Sequence, residues 1–235
     1  MSLITNIIHD EFALVITNKA VEEQADGFEK LHLNKKANIM MSLAGRPLPQ
    51  IYLDAFKACI NEREAIAIVQ EYMNEEFHTS ALIKSYNTDE MQDLQQVCLL
   101  YFDEAKQKFC SYSASCSNQH RNTDIKGSSS NQVMYRCIGT ESDQLTALFQ
   151  LKGVRRVLQN FTAQRKGVNH IMEIIDMTQR MYDVVDLIDH EIQFQYRSKY
   201  WAMDKESKIF QRVDYHQRYF APHYENGEDD TQNVA

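Results

Sequence analysis

A chain of 235 residues with 43% hydrophobic residues is large enough for one sizeable core, which excludes global disorder. Its net charge of −8 at pH 7 argues against a primary nucleic-acid role, because a phosphate backbone needs a positive surface. No apolar run reaches the ~20 residues of a membrane helix, and Asp10 and Glu11 interrupt the opening where a signal peptide would stay apolar, so a cytoplasmic chain without membrane contact is expected.

Leu3 to Ile8 and Phe12 to Thr17 are β-branched, apolar runs joined by the polar break His9-Asp10-Glu11. They read as a hairpin with at least one strand buried on both faces. Lys30 to Asn34 and Asn38 to Gly45 read as a second strand pair. Pro47 and Pro49 then open a helix on which Ile51, Leu53, Ala55, Phe56 and Ile60 recur at helical spacing. Asn61 followed by Glu64 forms a capping box for another helix, with Ala65, Ile68, Val69, Tyr72 and Met73 facing inward.

Strands return at Val97 to Phe102 and Lys108 to Ala114 around the turn Asp103 to Gln107. Ser115 to Gln132, rich in Ser and Asn, reads as an exposed loop, and Val133 to Ile138 as a strand ending at Gly139. Helical patterning runs from Ser142 to roughly Phe194, broken near Lys166-Gly167. Tyr200 to Met203 and Lys208 to Val213 form a last strand pair. The expected organisation is one domain over residues 1–214, with a loop at 115–131 and an enlarged helical region at 152–170. Residues 215–235 form a tail, aromatic and then acidic, with a disordered end.

Seven glycines and three prolines are few. That scarcity favours long helices with short connections over a fold built on many tight turns. The five cysteines are odd in number and lack a CxxC pair, so neither a disulfide framework nor a zinc ribbon is indicated. Eight scattered histidines without HExxH give no metal site, and no cofactor is expected.

Two sheets packed together with helices outside both would cover every apolar face of this element order. Several short stretches fit one family in the same order. ALVITNKAV (Ala13 to Val21), Lys30-Leu31 and SLAG (Ser42 to Gly45) precede the first helix. VCLLYFDEAKQKFCSYSA follows as a central hairpin, IGTES (Ile138 to Ser142) enters a helix, and WAMDKESKIFQRV (Trp201 to Val213) closes the chain. Together they resemble the proteasome-type subunits of the N-terminal-nucleophile hydrolase superfamily. The resemblance implies an α+β fold, a four-layer α-β-β-α sandwich.

It also implies a chemistry. After removal of Met1, the hydroxyl of Ser2 would attack an amide, and its own α-amine, with an ordinary pKa of about 7.7–8.0, would serve as base. Lys30 would lower the amine's pKa, the Gly45 N–H would stabilise the oxyanion, and Ser142 would hydrogen-bond near the amine. Glu191 matches the family's aspartate ahead of the closing hairpin. Asn18 stands where the family has an acid paired with the lysine, and the family's Asp-x-x-Ser-Gly-Gly segment is missing after Glu191. The implied partners are a peptide or other amide substrate, further copies of the chain in a homo-oligomer such as a ring, and an ATPase.

Each residue also has a bland reading. Ser2 is a common second residue, Lys30 a solvated strand-end lysine, Gly45 a strand-to-helix turn, Ser142 a helix cap and Glu191 a surface charge. The alternative function is a catalytically inactive, proteasome-like subunit with an assembly role, in which the aromatic segment Tyr215 to Tyr224 could be a contact. A third reading is an unrelated α+β binding protein.

Overall fold

The apolar runs become paired strands. The computed structural model describes residues 3–17, 30–84, 95–116, 121–129, 133–139, 142–156, 158, 168–188 and 199–213. In chain order they form β1 (Leu3–Ile8), β2 (Phe12–Thr17), β3 (Leu31–Asn34), β4 (Ile39–Ala44), α1 (Gln50–Ala58) and α2 (Glu62–Lys84). There follow β5 (Gln95–Asp103), β6 (Lys108–Cys116), β7 (Arg121–Gly127) and β8 (Met134–Gly139). The last are α3 (Ser142–Gln150), α4 (Val168–Ile188), β9 (Lys199–Asp204) and β10 (Gln211–Arg212).

The strands make two five-stranded sheets, ordered β10-β9-β2-β1-β8 and β3-β4-β5-β6-β7, and every pairing is antiparallel. β1, β2 and β4 are buried along their whole lengths. Their alternate residues serve two cores, which is why these runs are continuously apolar. Ile4, Val15, Met40, Leu100 and Met203 pack between the sheets. Leu3, Leu14 and Ile16 pack against Phe149 and Ile174 of α3 and α4, and Leu43, Leu99 and Tyr112 pack against Phe56 and Val69 of α1 and α2.

The expected fold class, a four-layer α-β-β-α sandwich, is corrected. The described structure is mostly antiparallel β, two five-stranded sheets with few helices on them. The edge strand β7 exposes Asn122, Thr123, Asp124 and Ile125, and β10 exposes Gln211 and Arg212. Two inferences misled. Ser115 to Gln132 is not simply a loop, since it contains β7, which Ser and Asn content alone does not reveal. Scarce glycine did not limit tight turns either: Asn38 (φ 51°), Gln107 (φ 53°) and Lys208 (φ 52°) take the left-handed conformation that glycine usually supplies.

Two local expectations stand differently. The Asn61 cap is present in a shifted form of the box: its Oδ1 accepts the Glu64 N–H at 2.9 Å, while Glu64 Oε2 reaches past Asn61 to accept the Ile60 N–H at 2.9 Å. On α1, however, Phe56 is the buried residue, while Ile51 is 75% exposed and Ile60, past its end, 57% exposed. The carboxamide of Asn34 occupies the C-terminal end of α1, donating to Phe56 O at 2.6 Å and Cys59 O at 2.9 Å. All five cysteines are free and buried. Among the described residues no helix is long and apolar enough to cross a membrane.

Candidate functional site

Antiparallel register brings several strand ends to one end of the sheet pair. Leu3, at the start of β1, lies opposite Gly139 at the end of β8. Ala44, at the end of β4, lies opposite Gln96 at the start of β5. Lys30, just ahead of β3, accepts the Leu43 N–H on its carbonyl at 2.9 Å. A bond between the sheets ties this end together: the Gly139 N–H donates to Gln96 Oε1 at 2.7 Å.

Lys30, Gly45 and Ser142 therefore gather near the start of β1. Lys30 is half-buried, and burial pushes its ammonium down to about 8. No carboxylate among the described residues lies within ion-pair distance to oppose that shift. At neutral pH a measurable fraction of Lys30 is thus the free amine, which can accept a proton.

Gly45 has φ 110° and follows β4 directly. Its turn is fixed from the side by the buried Gln95, which accepts the Arg46 N–H on Oε1 at 2.7 Å and donates from Nε2 to Arg46 O at 3.1 Å. Among the described residues the Gly45 N–H has no acceptor, leaving it available to an incoming oxygen. Gly139, the last residue of β8, likewise has a positive φ, 102°. Ser142, the first residue of α3, is buried.

Two polar contacts fix β1 itself. The single proton of the Ser42 hydroxyl is shared between Asn6 Oδ1 at 2.9 Å and Cys98 O at 3.2 Å, linking β1 across to β4 and β5. On the opposite face Thr5 Oγ1 lies 2.7 Å from the Tyr182 hydroxyl of α4. The strand is thereby held on both faces in dry surroundings, and burial pushes the Tyr182 hydroxyl well above the usual tyrosine range.

Three of the six residues singled out from sequence, Lys30, Gly45 and Ser142, converge. Ser2, Asn18 and Glu191 lie outside the described residues. Sequence reasoning missed Gln95, Gln96, Asn6, Ser42 and Tyr182. The first four carry a readable signal: each is a polar residue set in or beside a run that is otherwise apolar. Tyr182 carries none, because a tyrosine on an amphipathic helix reads as ordinary packing. Among the described residues no group of three or more His, Cys, Asp or Glu side chains could hold a metal ion. The sequence matches no protein-family model and no curated protein.

Proposed function

We propose that the chain is an amide-bond hydrolase of the peptidase kind, acting through Ser2, the residue that precedes β1 in the sequence. The nucleophile is the hydroxyl of Ser2 after removal of Met1, and its own α-amine takes the proton. Lys30 keeps that amine neutral when charged and relays protons when neutral, and the Gly45 N–H receives the oxyanion. The observation that carries this reading is the half-buried Lys30, lowered to about 8, beside a left-handed glycine turn whose N–H has no acceptor among the described residues. A lysine held so far down with no acid partner among the described residues costs stability, which is what a working base site would show.

The roles come from the proteasome-subunit resemblance; the reading needs the local geometry of this strand end, not that family's layered architecture. It places the protein in the cytoplasm, acting on peptides, as a homo-oligomer and with an ATPase as its feeding partner. The test is hydrolysis of a panel of fluorogenic peptides by the wild-type chain, Ser2→Ala and Lys30→Met. Turnover lost in both variants supports the reading; turnover unchanged in Ser2→Ala refutes it. The inactive, assembly-only reading is favoured by Asn18 standing in place of an acid, and it expects no turnover in any of the three.

A further inference from the structure

β7 lies at the outer edge of its sheet, and among the described residues it pairs with β6 alone. The register determines which of its backbone groups face away from β6. Cys110 lies opposite Gly127, and the Ser128 N–H donates to Phe109 O at 2.7 Å. In an antiparallel ladder hydrogen-bonded and non-hydrogen-bonded pairs alternate. Asn122, Asp124 and Lys126 therefore turn their N–H and C=O groups toward β6, while Thr123, Ile125 and Gly127 turn theirs outward. The outward edge carries no proline and an apolar side chain, Ile125, that is 57% exposed.

This edge is complementary to itself. A two-fold axis through Ile125 sets it opposite the same residue of a second copy, so that both exchange their N–H and C=O groups as a hydrogen-bonded pair. Thr123 then pairs with Gly127 of the other copy in the same way. Asp124 falls opposite Lys126, twice by symmetry, in the non-hydrogen-bonded positions where side chains approach most closely. Lys126 lies 3.9 Å from its own Asp124, beyond hydrogen-bond reach, so its ammonium has donors to offer. Asp124 binds Arg136 through Oδ2, and no described residue occupies its Oδ1, which can meet a second cation. A self-complementary patch of this kind is what a closed two-fold dimer requires.

We propose that β7 is the seam of a homodimer in which the two β7 strands pair antiparallel about Ile125, joining two five-stranded sheets into one. The pairing covers the exposed Ile125 and removes an open edge that would otherwise invite non-specific association. It stands independently of the proposed chemistry.

Sedimentation velocity of the full chain over a wide concentration range tests it. Ile125→Pro removes the Ile125 side chain and an outward N–H that no described residue accepts, and proline is tolerated on an edge strand. Asp124→Lys sets like charges opposite each other, and adding Lys126→Asp restores the opposite-charge pairs. The expected result is a dimer for the wild type, monomers for Ile125→Pro and Asp124→Lys, and a dimer again for the double swap, all with the circular dichroism of the wild type. A monomeric wild type, a dimer that persists in Ile125→Pro, or a double swap that stays monomeric would each overturn the proposal. If Ile125→Pro does not fold, the charge-swap pair alone decides.

Discussion

Replacing Lys30 with Met keeps most of the side chain's packing and removes its charge, so it isolates the cost of holding an ammonium in the half-buried site. Burial lowers the group from 10.5 to about 8, a difference that corresponds to about 3.4 kcal/mol at 1.36 kcal/mol per pKa unit. Lys30 keeps considerable contact with water, which screens the effect, and a cost of about 1–2 kcal/mol is the appropriate expectation. The sign follows from linkage. Below about 8 both folded and unfolded chains carry the proton, and the folded state bears the full penalty. Between about 8 and 10.5 the unfolded chain binds more protons, so stability gains with pH across that window.

Lys30→Met should therefore be more stable than wild type at pH 7 by about 1–2 kcal/mol, and the advantage should shrink as pH rises through the window. Urea unfolding of both proteins from pH 7 to 10.5 measures this, because every other titrating group is common to the pair. A difference that does not change with pH, or a variant less stable than wild type at pH 7, would refute the reasoning.

Asn34→Ala should cost about 2–3 kcal/mol in the same assay, since the carboxamide satisfies Phe56 O and Cys59 O and accepts the Lys36 and Ala37 N–H groups at 2.8 and 2.9 Å. Tyr182→Phe should cost about 1–2 kcal/mol by leaving the buried Thr5 hydroxyl only its longer contact with Cys137 Sγ at 3.9 Å. Combined with Thr5→Val it should cost less than the sum, as a double-mutant cycle would read directly. Gly139→Ala should lower stability by about 1–3 kcal/mol, because φ 102° is strained for any side chain; thermal unfolding would show it.

Much of the strand layout was readable because burial on two faces writes itself into sequence. LITNII and FALVIT mark β1 and β2 at their true ends, and Asn61 with Glu64 marks the start of α2. Architecture was less readable. The turns at Asn38, Gln107 and Lys208 use a conformation that composition does not announce, and β7 is an edge strand whose polar residues are in water on both faces, so it lacks the alternation that marks half-buried strands. On α1, Ile51 follows the helical period yet points outward, since periodicity shows a stripe but not what covers it.

The candidate site divides in the same way. Lys30, Gly45 and Ser142 were found through a resemblance in the order of short stretches, and register brings them to one end of the sheets. Lys30's lowered pKa depends on three-dimensional burial and has no trace in the sequence. The grip of Gln95 on Arg46 and of Gln96 on Gly139 depends on contacts between residues 49 and 43 positions apart, which single-sequence reasoning cannot pair.

Intact-mass analysis of the protein after incubation with a β-lactone, a reagent that acylates activated hydroxyls, bears most directly on the proposed chemistry. The account predicts a chain lacking Met1 that gains a single adduct on Ser2, at a rate falling sharply in Lys30→Met. A chain that retains Met1 throughout, or an adduct that forms equally in Ser2→Ala, would contradict it.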